Sequence, residues 1–391
     1  EITTVPRSKD QNIREVSRPQ TFEVQTNGVE PSKVHRHPGL PGAKKHLKRG
    51  LILAVAGLSA GLAVTLTAGA SDFDWQPLVS DDGAPGVYEP SAVRQLADGR
   101  LLLVQDEASD PLVLLQFDQS DRSITLRRLV LEERDRPFWI IGRAEPPRGL
   151  EDLEGLAAGT DDFLYAITSH SHTLSGMRQK TRERLVRLRI EGERIRDYAV
   201  FGKLRKAILA AYPELKKAAR SGYDKGRKGF NIEGLCSDPE QKRLLIGLRS
   251  PILDGRSMIL IMENPAAVFD DDEKPVFSSV PLRLDLGKGG IRAMSYVPWL
   301  GRYLLVTQRA KKKGTSNRPF RLWLWGGPGA DAPRPLKIPN VDLRSTEGIT
   351  PVRLGGQDHL LLVSDDGNRN RDRPGHYLLV PRDALELALQ A

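Results

Sequence analysis

The chain has 391 residues, 39% hydrophobic and 28% charged, with 36 glycines and a single cysteine, Cys236. That length suits one large all-β domain or two ordinary ones, and the lone cysteine excludes an intrachain disulfide. The net charge of +9 says little about partners, because residues 1–49 carry ten Lys/Arg against five Asp/Glu and the remainder is near balance. The dense basic stretches, Lys203–Lys228 and Lys311-Lys312-Lys313, read as solvated loops, which argues against a nucleic-acid surface.

Residues 1–50 are polar, rich in Pro, Ser and charge, and lack periodicity, so they are expected to be disordered and to lie outside the fold. No Met precedes Met177, so residue 1 is not read as a translation start. The basic run Lys44-Lys45-His46-Leu47-Lys48-Arg49, the apolar run from Leu51 to Thr67 and the small residues Ala68-Gly69-Ala70 make a signal peptide at 51–70, cleaved before Ser71. The rival reading is an uncleaved anchor, since 51–70 approaches the ~20 residues that span a bilayer. Either way the body, 71–391, is expected outside a bacterial cytoplasm, periplasmic or secreted, with membrane contact only if the segment is retained.

One isolated strand at 73–79 opens the body. Four-strand repeats follow. The first has runs at 89–96, 101–106, 112–117 and 124–131, with Asp98-Gly99 and Asp121-Arg122 as turns. A connection at 132–149, containing Phe138-Trp139-Ile140-Ile141, is where a further strand pair could hide. The second repeat runs 153–158, 163–169, 184–190 and 194–201. Leu204, Ile208, Leu209, Tyr212 and Leu215 then recur at helical spacing and predict an inserted helix near 203–220. The third repeat is 232–237, 243–248, 257–262 and 276–284, and the fourth 291–297, 302–308, 319–325 and 334–338. The fifth has three strands, 346–352, 359–364 and 376–380, before a helical turn at Asp383–Leu389. A recurring four-strand unit predicts a β-propeller, since one such sheet cannot bury both its faces alone. Strand 73–79 would supply the strand missing from the last repeat, closing a ring of five blades and removing an open edge. Six or seven blades, or two β-sandwiches, are the alternatives; the sandwiches do not explain why Glu-Gly returns at the start of repeats.

First strands line a propeller's channel, which brings Glu89, Glu154, Glu233, Arg292 and Glu347 toward one axis. Like charges so placed raise one another's pKa unless they are paired. Arg292 can neutralise one or two of the carboxylates. A hard cation, Ca²⁺ or Mg²⁺, could neutralise the rest, making Glu89, Glu154, Glu233 and Glu347 candidate metal ligands. The bland reading is that Gly permits close packing while Glu caps backbone amides. The ends of the second strands add Asp106, Ser169 and His170, Arg249, Arg309 and Asp365 at a rim. Asp365-Asp366-Gly367-Asn368 suits a metal loop but is also ordinary turn chemistry. His170 is a candidate general base, with Arg249 and Arg309 to grip an anion. Zinc on His170 and His172 is weakly indicated, for want of a third ligand nearby.

Pro90-Ser91-Ala92-Val93, Asp152-Leu153-Glu154-Gly155-Leu156-Ala157, Leu164-Tyr165-Ala166-Ile167-Thr168-Ser169-His170-Ser171 and Asn231-Ile232-Glu233-Gly234-Leu235 resemble the uncharacterised bacterial family known as domain of unknown function 3616, over about residues 85–382. That resemblance implies an exported propeller-like protein without an established activity. The Glu-Gly-Leu strand is also similar to one in the esterase-like-activity-of-phytase propellers, and more distantly to metal-dependent lactonases, whose axial Glu holds Ca²⁺; the Asn ligands of those lactonases have no evident match here. The leading expectation is a monomeric, metal-assisted hydrolase of a small anionic phosphoester or lactone. The alternative is a non-catalytic propeller that binds a protein partner or polyanion.

Overall fold

The computed structural model describes residues 73–106, 108, 110–118, 123–129, 150–221, 229–309 and 319–390. The expected disordered segment, the signal segment, the 132–149 connection and Lys311-Lys312-Lys313 lie outside them. The described residues form five antiparallel four-stranded sheets, the blades of a propeller. After the short strand β1 (Gln76–Pro77), blade 1 holds β2 (Pro90–Gln95), β3 (Leu101–Gln105), β4 (Leu112–Phe117) and β5 (Ile124–Arg128). Blade 2 holds β6 (Leu153–Ala158), β7 (Leu164–Thr168), β8 (Leu185–Glu191) and β9 (Arg194–Phe201). Blade 3 holds β10 (Asn231–Ser237), β11 (Leu244–Ser250), β12 (Ser257–Met262) and β13 (Leu282–Leu284). Blade 4 holds β14 (Gly289–Val297), β15 (Arg302–Arg309), β16 (Phe320–Trp325) and β17 (Arg334–Leu336). Blade 5 takes β18 (Thr346–Leu354), β19 (Gln357–Ser364) and β20 (His376–Pro381), and is completed by β1.

The second strand of each blade is a near-continuous apolar run, such as Leu101-Leu102-Leu103-Val104 and Leu360-Leu361-Leu362-Val363, because neighbouring blades cover both its faces. The buried apolar side chains accordingly divide into one cluster per junction: blades 1 and 2, 2 and 3, 3 and 4, 4 and 5, and 5 and 1. The last of these, joining Val352, Leu361 and Val363 to Val93, Leu101 and Leu103, closes the circle.

The inserted segment forms two helices, α1 (Leu204–Ala211) and α2 (Lys216–Arg220), rather than the single one the periodicity predicts. Pro213 lacks an N–H and disfavours helical geometry at Tyr212, so the chain breaks there. Leu204, Ile208, Tyr212 and Leu215 still bury together against blades 2 and 3. Beyond blade 3's third strand lies α3 (Pro265–Asp270), and α4 (Arg382–Gln390) ends the described chain.

Closure at blade 5 rests on Gln76 opposite Tyr377 and Pro77 opposite His376. Pro77 has no donor, which limits the ladder to two residues. Leu78 N extends the attachment by donating to Gly375 O (2.8 Å), and Gly375 N donates to Val87 O (2.8 Å).

Candidate axial carboxylate site

Every first strand carries the same defect. The ladder slips by one residue between Pro90 and Ala92, Leu153 and Gly155, Ile232 and Gly234, Ile291 and Ala293, and Thr346 and Gly348. The extra residue is a β-bulge, which bends a strand and re-aims one side chain. The five bulged residues are Ser91, Glu154, Glu233, Arg292 and Glu347, all buried. The next residue is Gly or Ala because the adjoining blade presses on it. A Cβ on Gly155 would lie 2.6 Å from Leu235 Cβ, and one on Gly234 would lie 2.8 Å from Ile291 Cγ2.

Glu89 is therefore not the blade 1 counterpart of the other three glutamates. It stands two residues ahead of the bulge, which Ser91 occupies, and its carbonyl accepts from Asp106 N at 3.0 Å. Ser91 Oγ donates instead to Leu153 O of the next blade. The position two residues ahead is itself polar in most blades: Glu89, Asp152, Asn231 and Ser345, with Gly290 in blade 4.

Arg292 neutralises two of the bulged carboxylates. Its Nη1 lies 2.6 Å from Glu233 Oε2, and its Nη2 contacts Glu347 Oε1. Arg249 pairs with the other oxygen of Glu233, which also accepts from Asn231 Nδ2 at 3.0 Å. Burial, followed by the neighbouring charge of Arg249, holds the Arg292 pKa below the usual arginine value.

Glu154 is left over. It is 7% exposed and has no hydrogen-bond or ion-pair partner among the described residues. Its carboxylate gathers with those of Asp106 and Asp152, with one oxygen from each within 4.8 Å of the others. Burial first, then the charges of Glu233, Asp152 and Asp106, push the Glu154 carboxyl well above the usual carboxylate range. Asp152 is held at a left-handed φ of 64°. Its Oδ2 accepts from Ser169 Oγ, from Ser171 Oγ at 3.0 Å and from Arg182 Nη1 at 2.8 Å. Ser169 is thus a positioning group for Asp152 in the buried wall. Asp152, Arg182, Asn231 and Ser91 escape a reading based on Glu-Gly alone; the polar residue recurring two places before the bulge is the signal that marks Asp152 and Asn231.

Beside this site lies a cleft of about 1190 Å³, lined by Arg249, Arg292, Gln308, Arg344, Glu347 and Asp365 among others. Burial raises the pKa of Asp365, and Arg292 opposes that rise. Asp366 accepts from Ser364 Oγ (2.8 Å), lies 2.8 Å from His376 Nδ1 and pairs with Arg344 (3.2 Å), while Asn368 Oδ1 accepts from Arg371 N (3.0 Å). Asp366 is accordingly engaged by protein groups, and Asn368 caps the 3₁₀ helix Arg369–Arg371.

Two expected contributors are corrected. His170 is fully buried at φ 58°, with its ring edge-on to Phe230 in the core between blades 2 and 3. Its Nδ1 lies 2.8 Å from Thr168 O, and burial pushes its pKa down to about 4. A neutral imidazole enclosed in core cannot serve as a base at a mouth. Arg309 is an exposed residue at the end of β15, away from the cleft wall, whereas its neighbour Gln308 lines it.

The chain matches the family described as "Protein of unknown function (DUF3616)" over residues 222–271. No curated protein matches it. Similar solved structures include a GH43 β-1,3-galactosidase with galactodeoxynojirimycin (10% identity, TM-score 0.43, 78% of this chain and 93% of that one). Others are the catalytic domain of a GH62 α-L-arabinofuranosidase from Coprinopsis cinerea (12%, 0.41, 80% and 98%) and a putative 6-phosphogluconolactonase from Bacteroides uniformis (11%, 0.39, 81% and 94%). The resemblance read from Asn231-Ile232-Glu233-Gly234-Leu235 falls inside the matched segment, and the chain is a five-bladed propeller similar there to the family of unknown function DUF3616.

Proposed function

We propose that this protein is an exported, hydrolase-like propeller whose axial acids hold a divalent cation, Ca²⁺ in the first instance, and whose arginine-lined cleft receives a small anionic phosphoester or lactone. The observation that carries the reading is the buried, unpartnered carboxylate of Glu154 beside Asp106 and Asp152. These three oxygen donors fit a hard cation: Asp152 pairs with Arg182 but Glu154 has no cation beside it among the described residues, whereas Glu233 and Glu347 are both compensated by Arg292, and Glu233 also by Arg249. Asp106, Asp152 and Glu154 therefore replace the wider ligand set of Glu89, Glu154, Glu233 and Glu347. A bound cation would polarise an ester oxygen and lower the pKa of a water. The chain's own groups supply the rest. Arg249 and Arg344 attract the anion, Arg292 fixes Glu233 and Glu347, and Asp152 is oriented by Ser169, Ser171 and Arg182. The test is metal analysis of the purified protein with calorimetric titration of Ca²⁺ into the chelator-treated form. About one equivalent bound, with loss of binding in Glu154→Gln, supports the reading; an unchanged titration in that variant overturns it.

A second reading is favoured by the pairing of Arg292 with both Glu233 and Glu347, which fills the axis with protein groups. On that reading the propeller is non-catalytic and binds a polyanion or protein partner at the cleft. Absence of any ester or lactone hydrolysis by calcium-loaded protein, together with salt-sensitive capture of a polyanion lost in Arg344→Gln, would favour it.

A further inference from the structure

The first strands run from the carboxylates to the opposite end of the channel. There a second cavity of about 700 Å³ is lined from all five blades, by Arg94, Phe163, Gln241, Trp299 and Arg353 among others. These residues sit at or beside the turns joining first to second strands, far along β2, β6, β10, β14 and β18 from the bulges.

Arg94 is the unusual member. Its guanidinium has no carboxylate partner and no hydrogen bond among the described residues. Burial lowers its pKa. Trp299 lines the same cavity, and its Nε1–H is buried without an acceptor. Both residues line one cavity and neither donor has a protein acceptor among the described residues; for the buried indole N–H that is costly. The acids at the rim are largely engaged elsewhere: Asp98 with Arg100 (2.6 Å), Glu191 with Arg196 (2.7 Å) and Asp358 with Arg382 (3.3 Å). Asp162 sits on an exposed turn. Arg353, 4.0 Å from Asp358 and largely exposed, adds a second cation at the rim.

We infer that this mouth is an oxyanion site, taking the anionic head of a small carboxylate or phosphate compound on the Arg94 guanidinium and the Trp299 indole N–H. Arg offers a planar fork that matches either group, and the indole can only donate. The site is separate from the acidic one and does not depend on the cation proposed there.

The test uses the whole folded protein, with inorganic phosphate and succinate as separate probes at constant ionic strength, read by calorimetry and thermal shift. At least one probe should bind and raise Tm, and the stronger one names the head group. Measured in an Arg249→Gln/Arg344→Gln background, which removes the anion grip proposed for the other cleft, Arg94→Gln should weaken binding about tenfold or more and Trp299→Phe should weaken it measurably. Unliganded Arg94→Gln should melt no lower than wild type, because it removes an unpaired charge rather than a salt bridge. The proposal is overturned if neither probe binds in that background, if binding there survives Arg94→Gln, or if Arg94→Gln melts well below wild type without ligand.

Discussion

Arg292 of β14 places Nη1 2.6 Å from Oε2 of Glu233 on β10, so the bulge of one blade carries the countercharge for the bulge of its neighbour. Glu347, reached by the other arm of the same guanidinium, has no second cation of its own among the described residues. Removing Arg292 strands buried negative charge, which typically costs about 3–5 kcal/mol. Arg292→Met should lose stability of that order in urea denaturation at neutral pH, and adding Glu347→Gln should recover a substantial part. A double variant no more stable than the single one would show that the pairing is incidental.

Glu154 makes stability depend on pH in a particular sense. Its folded pKa lies above the ordinary 4.5. Between these values the folded state binds the proton more tightly than the unfolded chain does, so stability is lost as pH rises through that window. Without metal, Glu154→Gln should flatten this decline and be the more stable protein at neutral pH. With Ca²⁺ added, wild type should gain stability and the variant should not. Chemical denaturation across pH, with and without Ca²⁺, measures both.

His170 acts in the opposite direction. Its pKa falls from 6.5 to about 4, so the stability that comes from keeping it neutral is complete above 6.5 and is lost as pH falls toward 4. The shift corresponds to about 3 kcal/mol. A variant with an apolar ring, His170→Phe, should lose less stability than wild type on acidification over this range, as followed by Tm at successive pH values.

Gly155 is where the adjoining blade comes closest. Gly155→Ala sets a methyl 2.6 Å from Leu235 Cβ and should destabilise by about 1–3 kcal/mol through overpacking. Gly99, whose Cβ would meet nothing within 4 Å, is a poor control because of its φ of 88°; Gly202, equally open and without positive φ, serves better. Thermal melts of Gly155→Ala and Gly202→Ala should separate clearly.

The blade count, the strand order and the closing strand could be read from the chain because each follows from local pattern. Apolar runs mark second strands, and Glu-Gly marks a bulge against which the next blade packs. The same cue failed in blade 1, where Ser91-Ala92 replaces Glu-Gly. Matching by charge selected Glu89, whereas matching by the small residue after the bulge selects Ser91. The association of Asp106, Asp152 and Glu154 depends on a bulge, a left-handed Asp152 and the rim of a second strand meeting in space, and no spacing announces it. His170 misled for a related reason: its place at a strand's end suggested a mouth, but its left-handed backbone turns the ring into core.

The pairing of Gln76 with Tyr377 binds the earliest described strand to the latest, across nearly the whole propeller. Contacts so distant in sequence are slow to form, because a long loop must close before they stabilise anything. During vectorial synthesis, four blades can assemble in succession while β1 waits with its edge unsatisfied, and β20 is the last of the described strands to emerge. A chain interrupted anywhere before β20 would present that waiting edge to proteases and to other nascent chains. Ring closure therefore works as a completeness check, locking the propeller only when the chain has been delivered from end to end.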